Sequence, residues 1–292
     1  MSNIYRYKVK DCIPKHIFEC GQCFRWKPAG YGKYTGIGYD HPAAVCMDGP
    51  NTLVVESFDH NDLYDFWHDY FDLSRDYSKI KSIIAKDDIM KTATRFGRGI
   101  RLLKQDFNEL TVSFIISANN RIPRIMKSIE VLSSLYGECT GEYYGNEEIK
   151  FFTFPTIEKL ASLSADEINL CKCGFRSDYI KKTSSALNEG ILDVCKACPV
   201  LTDSSFCVPL CKKALLSLSG IGPKVADCIL LFSGNDYSSF PIDVWVKRVM
   251  EKMYLKRESS FKEIADFAKN YWGEYAGFAQ QYLFYFAREN NI

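Results

Sequence analysis

Lys224 and Asp243, nineteen positions apart, sit in the surroundings best suited to covalent chemistry. Lys224 belongs to the run Leu215-Leu216-Ser217-Leu218-Ser219-Gly220-Ile221-Gly222-Pro223-Lys224-Val225-Ala226. A helix runs into Gly220-Ile221-Gly222, and Pro223 suits the first turn of the next helix. The positive end of that second helix disfavours an ammonium at Lys224. A neutral amine there is a nucleophile able to form a Schiff base with an aldehyde-like carbon. A lysine at that place equally suits a phosphate contact. Asp243 lies in Phe240-Pro241-Ile242-Asp243-Val244-Trp245, just before a fresh helical stripe, and is a natural N-cap. A capping carboxylate can also stabilise positive charge that develops beside it.

Other residue types narrow the choice. The four histidines, His16, His41, His60 and His68, all fall in the first quarter of the chain. Chemistry in the remainder must therefore rest on carboxylates, Lys, Cys or Tyr. The two glycines expose backbone N–H groups at a helix N-terminus, which makes a site for a phosphate. The whole run, Leu-x-x-Leu-x-Gly-Ile-Gly-x-Lys-x-Ala, is the helix-hairpin-helix pattern of DNA-binding proteins, here over 212–232. The turn carbonyls of Ser219 and Ile221 can hold a monovalent cation. Cys195, Cys198, Cys207 and Cys211 could bind zinc. The i,i+4 spacing of the last two better suits thiols facing a helical core.

The elements that must position these residues divide the chain in two. Residues 1–75 read as a small antiparallel sheet, with strands at Phe24–Trp26, Tyr34–Gly38, Ala43–Met47 and Thr52–Glu56 separated by Gly, Pro, Asp and Asn. A helical segment follows near Asn61–Phe71. Residues 76–292 take a 3.6-residue period, as in Tyr77, Ile80, Ile83 and Ile84, or Ile122, Ile125, Ile129 and Leu132. Thr156 and Ser164 are read as helix starts with an acid three residues on. The expected class is α+β: a sheet domain, then a mostly helical body that contains the hairpin. The chain of 292 residues has 12 cysteines, yet it is long enough to fold without disulfides. Its opening, MSNIYRYKVKDCIPKHIF, has no apolar run, and no stretch reaches a membrane-spanning length. A reduced, intracellular protein is expected.

On these motifs the chain resembles the 8-oxoguanine DNA glycosylase/AP lyases of the helix-hairpin-helix DNA glycosylase superfamily. The matching segments are Cys20–Trp26, Gly99–Asp106, Ser113–Asn120, Gly174-Phe175-Arg176, the hairpin with Lys224, Pro241-Ile242-Asp243 and Ala276–Phe284, which together span nearly the whole sequence. The resemblance implies excision of 8-oxoguanine from duplex DNA by base flipping, followed by β-elimination at the abasic site. Lys224 is then the nucleophile at C1′, and Asp243 the carboxylate that assists the developing sugar cation. Gly21 offers the carbonyl that accepts the N7–H unique to 8-oxoguanine. Gln280 reads the Watson–Crick edge, while Phe284 and Cys228 sandwich the flipped base. Asn119 fills the vacated space, and Arg124 and Arg176 contact the orphaned cytosine. Gly220 and Gly222 hold the backbone. Two positions depart from the animal enzymes: Phe175 replaces a Tyr wedge, and Trp245 replaces a His near the phosphate. An indole donates one hydrogen bond but cannot become cationic.

The implied partner is double-stranded DNA containing 8-oxoguanine, bound by a monomer that needs no cofactor and no membrane. The location is cytoplasmic, at the nucleoid, in a bacterium, or nuclear in a eukaryote. A monofunctional glycosylase for other damaged bases, and a non-catalytic damage-binding module, are the competing functions. The former lacks the hairpin lysine. The formal net charge of +1, from 37 Lys+Arg against 36 Asp+Glu, taken alone opposes a nucleic-acid partner. It averages over faces: Arg95, Arg98, Arg101, Lys104, Arg121, Arg124 and Lys127 crowd one stretch against Asp106 and Glu109. Backbone amides and helix N-termini also contact phosphate without counting as charge. The expectation is DNA held by one basic face, with a shallow salt dependence.

Overall fold

The computed structural model describes residues 2–144, 148–191 and 204–292. The N-terminal part is a five-stranded antiparallel sheet. It comprises β1 (Asn3–Lys8), β2 (Lys27–Pro28), β3 (Tyr34–Gly38), β4 (His41–Met47) and β5 (Thr52–Ser57), in the order β1-β5-β4-β3-β2. Helices α1 (Pro14–Phe18) and α2 (Tyr64–Tyr70) close it. The Tyr5-Arg6-Tyr7-Lys8 alternation in β1 is a period-two signal, with Tyr7 turned into the core. Trp67, Phe71, Val45, Val55 and Leu53 fill that core, and Trp26 stacks on Phe18 at 4.4 Å between ring centroids.

One expected strand is absent. Phe24–Trp26 does not pair; the short strand begins at Lys27. Its three side chains are spent on bridging the two halves. Phe24 packs edge-on to Phe114 in the helical core, and Trp26 faces the sheet core. Arg25 pairs with Glu109 at 3.1 Å and donates to the Phe152 carbonyl. A strand would have turned Phe24 and Trp26 to the same face.

The helical body begins with α3 (Tyr77–Ile84), α4 (Asp88–Phe96), α5 (Phe107–Ser117) and α6 (Ile122–Tyr136). A two-stranded hairpin, β6 (Cys139–Tyr144) with β7 (Glu148–Phe152), interrupts it and was not expected among helices. Then come α7 (Ile157–Ser162), α8 (Ala165–Asn169) and α9 (Arg176–Asn188). Ser164 and Glu167 form a full capping box on α8. Thr156 caps α7 alone, because the third position is Lys159 rather than an acid. The hairpin pairs α10 (Ser204–Leu216) with α11 (Pro223–Phe232). Beyond it lie α12 (Val244–Val249), a π-helical segment Met250–Leu255, α13 (Phe261–Trp272), a 3₁₀ turn Gly273–Tyr275 and α14 (Ala276–Glu289).

Of the four cysteines weighed for zinc, Cys195 and Cys198 lie outside the described residues. Cys207 and Cys211 fall four apart on α10, and Cys211 is fully buried. Among the described residues no group of three His, Cys, Asp or Glu could hold a metal ion. No described helix is long and apolar enough to cross a membrane.

The segment Gly99–Asp106 ties the two halves together. Arg101, buried, donates to the carbonyls of Asp72 at 2.6 Å and Lys10 at 3.1 Å. The Tyr77 hydroxyl donates to the Asp72 carboxylate and accepts from Leu102 N–H. These buried hydrogen bonds fix the seam, although Arg101 Nε stays buried without a partner.

Candidate active site

Three segments hold Gly21 in place. Gln22 is fully buried; its amide donates to the carbonyls of Ile17 (2.9 Å) and Arg101 (2.8 Å) and accepts from Leu103 N–H (2.9 Å). Gln281, on α14, donates to the Cys20 carbonyl at 2.6 Å. Gly21 itself has φ +82°, and a Cβ there would come within 2.8 Å of the Phe284 ring. Only glycine gives both the left-handed backbone and that closeness to an aromatic face.

The hairpin is equally constrained. Thr183 Oγ1 on α9 donates to the Ser219 carbonyl at 2.8 Å, so one lone pair of a proposed cation ligand is already used. Gly220 has φ +80°, and a Cβ there would lie 2.8 Å from Tyr179. Gly222 is different: it is the N-cap of α11 with φ −93°, and a Cβ would meet nothing within 4 Å. Nothing inside the protein asks for a glycine there, whereas a phosphate approaching the first-turn N–H groups would. Lys212 and Asp227, 2.5 Å apart, join the two hairpin helices.

Lys224 stands at the second position of α11, half-buried, with its Nζ 5.1 Å from the centre of the Phe114 ring. Phe114 is itself wedged between Phe24 and Phe232. One turn on, Cys228 hydrogen-bonds the Lys224 side chain, and burial pushes its thiol up to about 11 against the pull of that charge. Asp243 caps α12 by accepting from Val246 N–H at 2.9 Å. Burial raises its carboxyl above the ordinary range, opposed by that N–H and by the charge of Lys224. The two side chains are not ion-paired: Lys224 Nζ and the Asp243 carboxylate oxygens do not come within 4 Å.

A cavity of about 430 Å³ brings these groups together. Gly21, Lys224, Cys228, Asp243, Trp245, Gln280 and Phe284 all line it. Gln280 is buried, and its Oε1 has no hydrogen-bond partner. A buried amide oxygen in that condition costs free energy unless a ligand completes it. Trp245 carries Arg248 over its ring at 5.3 Å, so a cation stands behind the indole even though the indole has none.

The remaining expected residues lie outside the cavity, on a ridge beside it. Asn119 is exposed with φ +48° at the end of α5. Arg124 is exposed, and its Nη2 lies 3.5 Å from the Lys172 carbonyl. Phe175 is 63% exposed and edges onto Tyr179, the residue beneath Gly220. Arg176 is instead buried. It donates to the carbonyls of Ala118, Cys173 and Asn119, with Nη2 2.5 Å from Ala118 O. In this structure it builds the ridge rather than topping it.

Two charged residues of the cavity lining escape the motif reading. Arg121 lines the mouth beside Asn120. Arg288 lines the interior and leaves Nη1 buried without a partner. The signal for Arg288 was available: positions 280, 284 and 288 repeat every four residues, which is one face of α14.

The chain is similar to DNA repair proteins along most of its length. Residues 4–110 match the 8-oxoguanine DNA glycosylase N-terminal domain, and residues 112–274 match the HhH-GPD superfamily of base excision DNA repair proteins. The N-glycosylase/DNA lyase OGG1 of Arabidopsis thaliana is 31% identical, over 91% of this chain and 75% of its own. The N-glycosylase/DNA lyase of Saccharomyces cerevisiae is 32% identical, over 95% of this chain and 83% of its own. The crystal structure of the Clostridium acetobutylicum 8-oxoguanine glycosylase/lyase, bound to duplex DNA with cytosine opposite 8-oxoG, superposes with a TM-score of 0.88. It is 39% identical and covers 100% of this chain and 99% of that one. The chain therefore belongs to the 8-oxoguanine DNA glycosylase family of HhH-GPD base excision repair proteins, as an N-glycosylase/DNA lyase.

Proposed function

We propose that this glycosylase/lyase excises 8-oxoguanine from duplex DNA through a Schiff base on Lys224. The supporting observation is one cavity that holds an amine, an unpaired carboxylate and an orphaned amide oxygen. The damaged nucleotide rotates out of the stack, because its glycosidic bond is out of reach within it. The neutral Lys224 amine attacks C1′; the C1′–N9 bond breaks, and its electron pair leaves with the base, which takes up a proton. Asp243 faces the positive charge that grows on the sugar. Ring opening at C1′–O4′ gives the iminium. Loss of a C2′ proton then expels the 3′-phosphate by β-elimination, and water releases Lys224.

The Gly21 carbonyl accepts N7–H of 8-oxoguanine, where guanine has only a lone pair and would be repelled. Gln280 Oε1 gains its missing donor from the Watson–Crick edge. Phe284 and Cys228 cover the two faces. Gly220, Gly222 and Trp245 bind the flanking phosphates, while Asn119 and the Phe175 wedge occupy the vacated stack. Arg124 reads the orphaned cytosine; Arg176 joins it only by giving up its carbonyl bonds. One chain supplies every group, with no cofactor, and a monovalent cation at the Ser219 and Ile221 carbonyls supports the DNA-bound hairpin.

Borohydride reduction tests the reading. The wild-type protein incubated with an 8-oxoguanine duplex gives a covalent adduct, and Lys224→Gln gives none while still binding the duplex. An adduct of undiminished yield in that variant would sink the assignment. Excision against each of the four opposite bases then reports what Phe175 and Arg124 select. The monofunctional alternative predicts excision without any adduct.

A further inference from the structure

Arg288, like Arg121, is a charged group of the cavity lining to which the proposed reaction gives no task. Its side chain is only 18% exposed. Nη2 donates to the Glu19 carbonyl and to Glu289 Oε1, and Nε also reaches Glu289. Nη1 is left buried and without a partner. The guanidinium carbon lies 5.3 Å from the Phe284 ring centre, so the group leans over the pocket's aromatic wall. Nη1 also lies 3.4 Å from where a Cβ on Gly21 would stand. A rigid, permanently charged donor, clamped by Glu19 and Glu289, thus points its free N–H at the space beside Gly21.

We propose that Arg288 is a specificity-determining residue, whose Nη1 donates a hydrogen bond to an oxo oxygen flanking N7 of the flipped purine. The inference rests on the reading above, in which the Gly21 carbonyl faces N7–H. The two substituents beside N7 are those at C6 and C8, and in 8-oxoguanine both are oxygen acceptors. A guanidinium attracts either one and repels an amino group at the same place. Gly21 and Arg288 would then read adjacent atoms with opposite polarity: an acceptor for N–H and a donor for C=O. A base with a lone pair at N7, or an amino group in place of the contacted oxygen, fails one of the two.

The test is single-turnover excision from three duplexes carrying 8-oxoguanine, 8-aminoguanine or 8-oxoadenine, with wild type, Arg288→Leu and Arg288→Lys. 8-Aminoguanine replaces O8 by an amino group and also loses N7–H; 8-oxoadenine replaces O6 by an amino group and also loses N1–H and the 2-amino group, so each base is read as the ratio of variant to wild-type rate on that same base. Arg288→Leu should slow 8-oxoguanine excision by roughly 10- to 100-fold, the worth of one hydrogen bond to a charged donor. It should leave the rate nearly unchanged on whichever analogue lacks the contacted oxygen, so the preference for 8-oxoguanine over that analogue shrinks by the same factor. Arg288→Lys, which keeps charge and donor, should recover much of the loss. Cleavage of a preformed abasic site, which needs no base contact, should proceed in every variant and certifies folding. Equal loss on all three bases would show that Arg288 merely props the Glu19–Gly21 loop, and would overturn the proposal; so would an unchanged rate on 8-oxoguanine. A wild-type protein that cleaves abasic DNA but leaves 8-oxoguanine intact would instead remove the underlying reading.

Discussion

Two cation–carboxylate pairs sit at comparable depth and are built in opposite ways. Arg25 and Glu109, at the seam of sheet and helices, touch at 3.1 Å with side chains only 8% and 17% exposed. Arg25 donates as well to the Phe152 carbonyl, so the pair closes upon itself. Lys224 and Asp243, across the cavity, are each anchored by something else: the amine by the Phe114 ring and the Cys228 thiol, the carboxylate by Val246 N–H. A salt bridge between them would satisfy both charges and leave neither for a substrate. The seam buries its two groups against each other, and the cavity keeps its groups apart to act.

The contrast breaks most visibly at Lys224. Lys224→Gln should lower base excision by at least roughly a thousandfold and abolish the borohydride-trapped adduct, because among the described residues no other amine lines the cavity. Its melting temperature should stay close to wild type, since the lysine closes no network. Asp243→Asn comes next. Asn caps a helix as well as Asp, so stability should change by less than about 1 kcal/mol. Excision should fall by about 10²- to 10⁴-fold, because the anion is gone. In wild type the rate should decline as pH falls through the Asp243 carboxyl, and burial places that limb above the ordinary carboxylate range. The limb should vanish in Asp243→Asn; a retained limb would assign the titration to another group.

Much of this was legible from residue order. The hairpin, Lys224, the Asp243 cap and the three later strands follow from turn chemistry and periodicity, which are local. What escaped was set by distant partners. Phe24–Trp26 has the composition of a strand, yet Phe114, Glu109 and Phe152, all beyond residue 100, decide its path. Arg176 follows a glycine-aromatic pair like an exposed contact residue, but the carbonyls of Ala118 and Asn119 bury it. The β6–β7 hairpin is a short interruption among long helical stripes. Arg288 required no distant information, only the four-residue spacing carried one turn beyond Phe284.

Glu109 sharpens the other side of the comparison. Burial raises its carboxyl from 4.5 to about 7, with Arg25 opposing. The folded state thus holds that proton more tightly than the unfolded chain does. Its contribution to stability is complete below about 4.5 and is lost as pH rises through about 7. The loss is at most roughly 3 kcal/mol over that window. Glu109→Gln cannot titrate, so the fall in unfolding free energy between pH 5 and pH 8 should flatten, while excision at neutral pH stays the same. Denaturant melts at several pH values measure it. An unaltered slope would mean that the pair at the seam does not dominate the pH response of the fold.

The smallest effects separate the two hairpin glycines. Gly220→Ala meets both a left-handed backbone and the Tyr179 side chain, and should cost about 1–3 kcal/mol of stability. Gly222→Ala meets neither: its φ of −93° suits alanine, and the added Cβ has open space. Its stability should stay within about 0.5 kcal/mol of wild type. What a methyl group at 222 would obstruct is the approach of a phosphate to the first-turn amides of α11. Duplex affinity, read by fluorescence anisotropy at one fixed salt concentration, should therefore weaken by about tenfold without any change in melting. If Gly222→Ala binds duplex as tightly as wild type, the turn serves only to join two helices, and Lys224 must be aligned on its substrate by contacts elsewhere on the ridge.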